Sequence, residues 1–426
     1  MLPKYENKQK IVLLNLNTWS SDSSGTFDYS NPSVKQQKAY QENSSYVIRT
    51  KYNSFKIINQ HADIETGNGE ELIFYINNSN ENTFFLINFI PKDLKHSIAN
   101  FNLINNKIWY VINRESPEKD IIHPNYNENY YLNVNDIIKL GKVKFIVQNI
   151  HLMKKDYNYN EEEPPMPVQE IQYNISNLNK NSKPVFNNVY IVENYFYNNN
   201  LNENNSDESS NDGQNNHCRF CNDSHTNNQT NEDNNFLITI CKCGDLIHFK
   251  CLKNKFKELL VKDEAKGNYI DSYVFRNFNC QKCKDIYPTK FKLEGHDRIF
   301  YLIDILLPND CNYIILESID FFMYNEYYKC IYVAKFIKND IQIGRENDND
   351  IINKDSSMSR HHAKLNFDKN SGKICIQNLN NTYGTLVLVK KPIKLLDKKI
   401  CLQIGRTYVE ASLINREEFD KIQKEN

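Results

Sequence analysis

The stretch IQIGRENDNDIINKDSSMSRHHAKLNF (Ile341–Phe367), followed by IQNLNNTYGTLVLV (Ile376–Val389), decides the fold of the C-terminal part of the chain. Short apolar runs alternate here with polar segments rich in Gly, Asn, Asp and Ser. This alternation is typical of strands joined by turns, because β-branched side chains fit a pleated sheet and small polar residues fit turns. The strand-rich region begins near ILLPNDCNYIILESI (Ile305–Ile319), and we assign residues 300–415 to one β domain.

The loops of this region carry side chains that suit a phosphate group. A phosphorylated threonine offers nearly two negative charges and several acceptor oxygens, so guanidinium and hydroxyl donors on neighbouring loops bind it well. The candidate donors are Arg345, Ser359, Arg360 and Thr382. Gly344 and Gly384 lie beside them and permit tight backbone turns.

The same motifs resemble the forkhead-associated (FHA) domain. The matching residues are Gly344-Arg345, Ser359-Arg360-His361-His362-Ala363, Thr382 and Gly384-Thr385. The resemblance implies an eleven-stranded β-sandwich whose four candidate donors bind phosphothreonine-containing proteins. It also implies that His362, like Gly344 and Gly384, maintains the loops and does not touch phosphate. FHA domains usually carry Asn where this chain has Tyr383, so the resemblance does not cover that contact with the peptide backbone.

Residues 46–152 are predicted to form a second β module, because runs such as ELIFYI (Glu71–Ile76) recur between polar turns. Its segment LGKVKF (Leu140–Phe145) matches IGRTYV (Ile404–Val409) near the end of the C-terminal domain. The match predicts two related β-sandwich modules, which makes the first a candidate for a degenerate FHA-like fold. The first module lacks both Gly-Arg and S-x-x-H, so it should not bind phosphate in this way. Arg406 has no S-x-x-H after it and is assigned a structural role.

The remaining segments have the composition of linkers and tails. Residues 1–45 are polar without sustained periodicity and predict a mobile N-terminal arm. Residues 153–216 form an Asn/Glu/Pro-rich linker in which Val185–Val192 is a candidate strand. Residues 416–426 are a polar tail, read as a short helix or a frayed end.

Four short pairs of metal-ligand side chains lie in residues 217–290, between the two β modules. The pairs are Cys218 and Cys221, Cys241 and Cys243, His248 and Cys251, and Cys280 and Cys283. Each pair can place two soft ligands on one turn, and a tetrahedral zinc ion needs two such pairs. The sequence therefore predicts two closed zinc sites; His217 and His225 lie nearby but are not needed to complete either.

The spacing of the pairs favours an interleaved arrangement. Only four residues separate Cys243 from His248, whereas 28 separate Cys251 from Cys280. Pairs two and three are hard to place around a single ion without strain, and interleaving avoids this. We assign one zinc ion to Cys218, Cys221, His248 and Cys251, and the other to Cys241, Cys243, Cys280 and Cys283.

At these residues the chain resembles the RING-variant (RING-CH) zinc fingers, whose order is C-x2-C, C-x-C-G, H-x2-C-L and C-x2-C. The resemblance implies that the finger binds a ubiquitin-conjugating enzyme and positions its thioester-linked ubiquitin, with Phe220 as an enzyme contact. Three features depart from the family: a short loop before His248, Lys255 where Trp is usual, and no proline before Cys283.

Two other interpretations of the finger stay open. A PHD finger has the same ligand order, but usually places two or more residues between its third and fourth ligands and a Trp shortly before the seventh. This chain has only Lys242 between those ligands, and Phe278 precedes the seventh. The third interpretation is a purely structural zinc knot.

Composition narrows the class of protein. The formal net charge of −1 gives no overall attraction to nucleic acid. We find no signal peptide and no apolar run of about 18 residues, the length that spans a bilayer. Seven of the 11 cysteines are candidate metal ligands and the others are scattered singly. These features predict a soluble, intracellular protein with reduced thiols, without distinguishing cytoplasm from nucleus.

Over residues 80–415 the order of modules resembles a group of ciliate RING-variant/FHA proteins. The leading hypothesis is a RING-type ubiquitin ligase that recruits phosphothreonine-containing partners through its FHA domain. Its cofactors are two zinc ions in the finger. The alternatives are a non-enzymatic phosphopeptide-binding adaptor and a chromatin reader with a PHD-like finger. The chain has no nucleophilic triad, phosphate-cradling glycine loop or paired-carboxylate motif, so a hydrolase or kinase is not expected.

Overall fold

A computed structural model describes much of both β modules and of the cysteine-rich region. The described residues are 10–19, 35–49, 52, 54–59, 71–80, 83–87, 107–112, 129–153, 190–192, 195–196, 217–223, 236–262, 268–319, 321–323, 326–379, 381, 383–395, 397 and 399–425.

The secondary structure is mostly strand. Residues 10–151 form β1 (Lys10–Thr18), β2 (Lys35–Gln41), β3 (Ser45–Arg49), β4 (Phe55–Asn59), β5 (Glu71–Asn80), β6 (Thr83–Ile87), β7 (Ile108–Ile112), β8 (Tyr130–Tyr131), β9 (Ile137–Leu140) and β10 (Val143–His151). Residues 190–301 form β11 (Tyr190–Val192), β12 (Tyr195–Phe196), β13 (Leu237–Ile238), β14 (Ile247–His248), α1 (Phe249–Leu259), β15 (Leu260–Lys262), β16 (Ile270–Arg276), β17 (Lys290–Leu293) and β18 (Ile299–Tyr301).

The last part of the described chain is also mostly strand and ends in a helix. Residues 313–425 form β19 (Tyr313–Ile319), β20 (Phe321–Met323), β21 (Glu326–Lys335), β22 (Asp340–Gly344), β23 (Ile351–Ile352), β24 (Ala363–Asp368), β25 (Lys373–Asn378), β26 (Thr385–Leu388), β27 (Ile393–Lys394), β28 (Ile400–Ile404), β29 (Thr407–Asn415) and α2 (Arg416–Glu425). The predicted mainly β fold class is confirmed. Neither helix in the described part of the chain is long and apolar enough to cross a membrane.

The chain divides into two compact units, residues 1–147 with 338–426, and residues 148–337. The first unit contains two five-stranded sheets, in the orders β23-β22-β24-β25-β8 and β27-β6-β5-β3-β4. It also contains a longer series of antiparallel neighbours, β2-β1-β29-β28-β7-β26-β9-β10. Each of these three sets combines strands from both ends of the chain. This differs from the separate domains expected at 46–152 and 300–415, because strand pairing between distant segments leaves no local signature in the sequence.

The prediction of a mobile arm over residues 1–45 does not hold where these residues are described. Strand β1 pairs with β2 on one side and with β29 on the other. Val12, Leu14 and Leu16 alternate along β1 and are fully buried, in one core with Leu402 and Val409. Such alternation gives a strand one apolar face. The run KIVLLNLN carried this signal, but it is short and lies among polar residues.

The predicted polar tail forms helix α2, which packs on the first unit. Phe419 makes an edge contact with Tyr40, with ring centroids 4.9 Å apart. Arg416 forms an ion pair with Glu42 at 2.6 Å. The helix is therefore fixed by one aromatic contact and one ion pair.

The second unit is built around an aromatic core that includes metal-ligand candidates. Phe249, Leu252 and Phe256 form the buried face of α1, and Phe256 stacks on Phe278 with ring centroids 4.3 Å apart. Cys218, Cys241 and Cys280 belong to the same core. Three of the metal-ligand candidates are therefore part of the aromatic core.

Two boundaries of the predicted modules change in this unit. Strands β19 and β21, expected within the domain at 300–415, pair with each other, and β21 also pairs with β16 of the finger region. Within the predicted linker 153–216, β11 pairs with β17 and β12 with β13. Most of that linker lies outside the described residues.

Candidate metal centres and phosphate-binding site

The first group of metal-ligand side chains comprises Cys218, Cys221, His248 and Cys251. Their ligand atoms all lie within 4.8 Å of one another. The Nδ1 atom of His248 lies 3.3 Å from Sγ of Cys221 and 3.9 Å from Sγ of Cys251. The two cysteines of the first pair lie on a turn, whereas His248 ends β14 and Cys251 lies in the first turn of α1. Local structure thus brings two distant pairs to one point.

The second group comprises Cys241, Cys243, Cys280 and Cys283, whose sulfur atoms also lie within 4.8 Å of one another. The Sγ–Sγ distance is 2.9 Å between Cys241 and Cys243 and 3.8 Å between Cys243 and Cys280. Gly244 has a φ of +76°, which lets the chain turn sharply between the two groups. The structure therefore groups the eight side chains in the interleaved order that the spacing predicts.

Within the second set, donor groups around Cys280 favour its thiolate, the form that binds metal. Burial raises the pKa of Cys280, but the backbone N–H of Cys283 and the guanidinium of Arg219 outweigh it, so that pKa falls to about 5. Nη1 of Arg219 lies 3.2 Å from Sγ of Cys280. Asp245 holds Arg219 in place through an ion pair at 3.3 Å. Arg219 lies inside the first ligand pair, so one side chain links the two groups; ligand spacing alone did not reveal this role.

His248 is in the state that a metal ligand needs. Its side chain is buried, and burial lowers the pKa of the imidazole. The neutral ring can therefore offer Nδ1 as an acceptor to a metal ion. Its Nε2 atom is buried without a hydrogen-bond partner among the described residues. Nδ1 is thus the nitrogen that faces the sulfur atoms.

The surface of the finger contains the residues that the RING-variant resemblance singles out. Phe220 is 42% exposed although it lies between two ligands. Lys255 is partly exposed and forms an ion pair with Glu258 at 3.0 Å. Its neighbour Phe256 is buried in the core, so it does not replace the usual surface Trp.

The predicted phosphate-binding loops meet at one rim of the first unit. The backbone N–H of Arg345 donates to the carbonyl oxygen of Ser359 at 3.1 Å, and that of Glu346 donates to Arg360 at 3.2 Å. Arg345 and Arg360 are exposed, and Ser359 is half-buried. These bonds bring three of the four candidate donors together, whereas the fourth, Thr382, lies outside the described residues.

His362 is fully buried beneath this rim. Its Nδ1 atom accepts a hydrogen bond of 3.0 Å from the backbone N–H of Ser359, and its Nε2 atom lies 3.1 Å from the carbonyl oxygen of Gly384. Burial lowers the pKa of His362 to about 4. The neutral ring fits these partners, because one nitrogen faces a donor and the other an acceptor. His362 therefore fastens one loop to the next and does not reach the surface.

Gly344 and Asn349 fix the approach of the first two loops. A side chain at Gly344 would lie 2.9 Å from the carbonyl carbon of Arg360 and 2.9 Å from Nδ2 of Asn349. Asn349 itself is 1% exposed and donates to the carbonyl oxygen of Arg360 at 2.8 Å. Sequence reasoning identified Gly344 through the family motif but missed Asn349, which lies in a charged run typical of solvated loops.

Lys354 is a second residue that the motif did not single out. Its Nζ atom donates to the carbonyl oxygen of Arg345 at 2.9 Å and to the side chain of Asn347 at 2.5 Å. It is exposed and adds a third positive charge to the loops of Arg345 and Arg360. The available signal in the sequence was a basic residue in the same polar run, nine residues after Arg345.

The loop before β26 completes the rim. Gly384 has a φ of +70°, which favours glycine, and Asn381 donates from Nδ2 to the carbonyl oxygen of His362 at 2.8 Å.

Residues 341–405 match the model of the FHA domain family. The FHA match begins in β22, ends at the turn after β28 and does not include the cysteine-rich region. No curated protein and no solved structure matches the chain. The FHA part of the predicted resemblance is confirmed.

Proposed function

We propose that the protein binds phosphothreonine-containing proteins through its FHA domain, and that its finger holds two zinc ions and recruits a ubiquitin-conjugating enzyme. The observation that carries the first part is the convergence of Arg345, Ser359 and Arg360 at one rim, above the buried His362. The observation that supports the second part is the interleaved grouping of the eight ligand candidates, with the exposed Phe220 between the first two.

Zinc suits the two ligand groups better than other common metals. Seven thiols and one imidazole form soft, four-membered sets, which favour tetrahedral zinc over magnesium or calcium. Each set fills all four positions with protein ligands, so neither ion keeps an open position for substrate or water. Both ions are therefore structural, and the finger acts by binding and positioning.

The rim has the chemistry for a phosphate dianion. Arg345, Arg360 and Lys354 supply three cationic side chains on these loops, and the same stretch also carries four acidic residues. Ser359 adds a hydroxyl donor next to Arg360. A guanidinium can bind two phosphate oxygens at once. Since the loops are fixed to one another through backbone bonds and His362, little ordering is left for the ligand to impose.

Phosphate recognition is tested with an array of phosphothreonine peptides and their unphosphorylated counterparts. We expect Arg345→Ala to weaken binding to phosphorylated peptides at least about tenfold, because a charge-assisted pair is removed. Arg298→Ala is the matched control, since Arg298 is equally an exposed arginine but lies in the second unit. Equal binding by Arg345→Ala and wild type would exclude this mode of phosphate binding.

The ligase part is tested by autoubiquitination with a panel of conjugating enzymes, using protein with two zinc ions bound. We expect activity with at least one enzyme and its loss in Cys218→Ser. Absence of activity with every enzyme would favour the alternative, a non-enzymatic adaptor that binds phosphopeptides. Lys255 favours this alternative, since a lysine paired with Glu258 occupies the position where active RING-variant fingers usually carry Trp.

A further inference from the structure

The two ends of the chain exchange their closing strands within the first unit. Strand β25 of the FHA domain pairs with β8, and β26 pairs with β9; both partners come from before the finger. In return, β27 pairs with β6, β28 with β7 and β29 with β1. The strands that close each β module thus come from the other end of the chain.

The pairing of β26 with β7 lies at the middle of this strand exchange. These strands run antiparallel, with Thr385 opposite Ile112 and Leu388 opposite Trp109. On one side β26 continues to the hairpin β9-β10, and on the other side β7 continues to the hairpin β28-β29. The hairpins turn at Gly141 and Gly405, with φ values of +62° and +55°. They correspond to the related segments LGKVKF and IGRTYV.

The turn of the β9-β10 hairpin touches a loop of the FHA rim. Leu140 lies opposite Thr385, the first residue of β26, so the turn lies at the same end of the sheet as Gly384. The backbone N–H of Lys142 donates to Oγ of Ser357 at 2.8 Å. A side chain at Gly141 would lie 2.7 Å from both the carbonyl carbon and Oγ of Ser357.

Ser357 transmits this contact to the loop that carries Ser359. Its Oγ donates to the carboxylate of Asp355 at 2.5 Å while it accepts from Lys142, and its own N–H donates to Asp355 at 2.8 Å. Ser357 is only 9% exposed. The hydroxyl is therefore fixed on both sides, two residues before a candidate phosphate donor.

We propose that the phosphothreonine site is assembled from two parts of the chain separated by the finger, and that Gly141 and Lys142 are positioning residues for it. The inference rests on the proposed phosphate binding. The binding unit therefore differs from the segment that matches the FHA family. It includes β8 and β9, which lie before the finger, and excludes β28, which lies inside the match but closes the other module. The hairpin turn holds the rim loop without touching the peptide.

The test compares Gly141→Ala with Gly372→Ala in the full-length protein. Both glycines have a φ of +62°, so both variants place a side chain at the same positive φ, but nothing lies within 4 Å of a side chain added at Gly372. The probe is a degenerate pool of phosphothreonine peptides. We expect binding to weaken at least about tenfold in Gly141→Ala and less than about twofold in Gly372→Ala. Equal losses in the two variants would overturn the proposal.

Ser357 provides a second pair of variants. Ser357→Ala removes the hydroxyl that accepts from Lys142 and is expected to weaken phosphopeptide binding several-fold. Ser357→Thr keeps a hydroxyl and should retain most of the wild-type affinity. Equal binding by Ser357→Ala and wild type would contradict the transmission through this hydroxyl.

Amide hydrogen exchange separates this inference from the proposed function. We expect faster exchange at Lys142 and at residues 355–362 in Gly141→Ala than in Gly372→Ala, whether or not any peptide binds. If wild type does not bind the phosphopeptide pool but exchange is faster in Gly141→Ala, the proposed phosphate binding is wrong and the two-part assembly is supported as a structural unit. Unchanged exchange in Gly141→Ala would overturn the inference even if wild type binds the pool.

Discussion

The Nε2 atom of His362 lies 3.1 Å from the carbonyl oxygen of Gly384, and this contact fastens two loops of the FHA rim to each other. The ring is fully buried, and burial lowers its pKa to about 4. Protonation would place a second N–H against the N–H of Ser359, which already donates to Nδ1. The rim is therefore built for a neutral imidazole.

This burial predicts a loss of stability in mild acid. Because the pKa of His362 is lower in the folded than in the unfolded chain, the unfolded chain takes up the extra proton. Stability is thus complete above the ordinary pKa of about 6.5 and declines as pH falls toward 4. Between pH 7.5 and 5.5 we expect wild type to lose about 1 kcal/mol more than His362→Gln, which cannot titrate.

Tryptophan fluorescence during urea unfolding measures this difference. Both tryptophans, Trp19 and Trp109, are buried and lie in the unit that contains the rim. The variant also controls for other titrating groups, since it shares all of them with wild type. An identical pH dependence of the two proteins would show that His362 is not buried as a neutral ring.

Metal content should report the two ligand groups independently. Purified wild type is expected to hold two zinc ions per chain, and Cys221→Ser about one, since each group supplies a complete tetrahedral set. Cys311→Ser is the control, because Cys311 lies outside both groups. Elemental analysis by mass spectrometry gives the stoichiometry. Loss of both ions in Cys221→Ser would show that the second site depends on the first.

A buried ion pair is expected to stabilise the second unit. Lys329 donates to Glu317 at 2.9 Å, and the two side chains are only 7% and 10% exposed. The other carboxylate oxygen accepts from Gln148 at 2.6 Å and from Thr289 at 3.0 Å. Lys329→Met leaves that carboxylate buried without its cation, so we expect it to lower the free energy of unfolding by about 3 kcal/mol.

Two further variants define the cause of that loss. Lys335→Met removes a lysine of the same strand whose partner, Asp271, is 36% exposed, and should cost less than about 1 kcal/mol. Adding Glu317→Gln to Lys329→Met removes the unpaired charge and should recover part of the loss. Thermal unfolding followed by circular dichroism compares them. Similar losses for Lys329→Met and Lys335→Met would contradict the role of burial.

The exposed residues of the finger are expected to affect recruitment of the ubiquitin-conjugating enzyme. If the finger is a ligase, Phe220→Ala should lower the autoubiquitination rate about tenfold by removing an exposed aromatic contact. Lys255→Trp should raise the rate, because it supplies the aromatic side chain that RING-variant fingers usually carry. Tyr301→Ala is the control, since Tyr301 is 55% exposed in the same unit. Zinc content must be equal in all three, and unchanged rates would remove Phe220 from the contact surface.

The metal-ligand groups could be read from the sequence because they depend on short spacing. Pairs such as Cys241 and Cys243 lie on one turn, and the four-residue gap before His248 makes pairs two and three hard to place around a single ion. The rim residues Gly344, Arg345 and His362 were likewise readable, since loop motifs keep their spacing along the chain. The role of Arg219 between the two groups was not, because it arises from a contact with Cys280 across the fold.

The sequence by itself determined the mainly β fold class, the side chains that group as metal-ligand candidates and the loops that carry the rim, but not strand β1, which it placed in a mobile arm. Tertiary structure decided which strands pair. The predicted domains 46–152 and 300–415 are not separate, because closing strands of each pair with strands of the other. The related segments LGKVKF and IGRTYV each turn at a glycine with positive φ between two antiparallel strands, so their sequences do not specify which module each hairpin closes. Only the packing of the first unit places Lys142 beside Ser357.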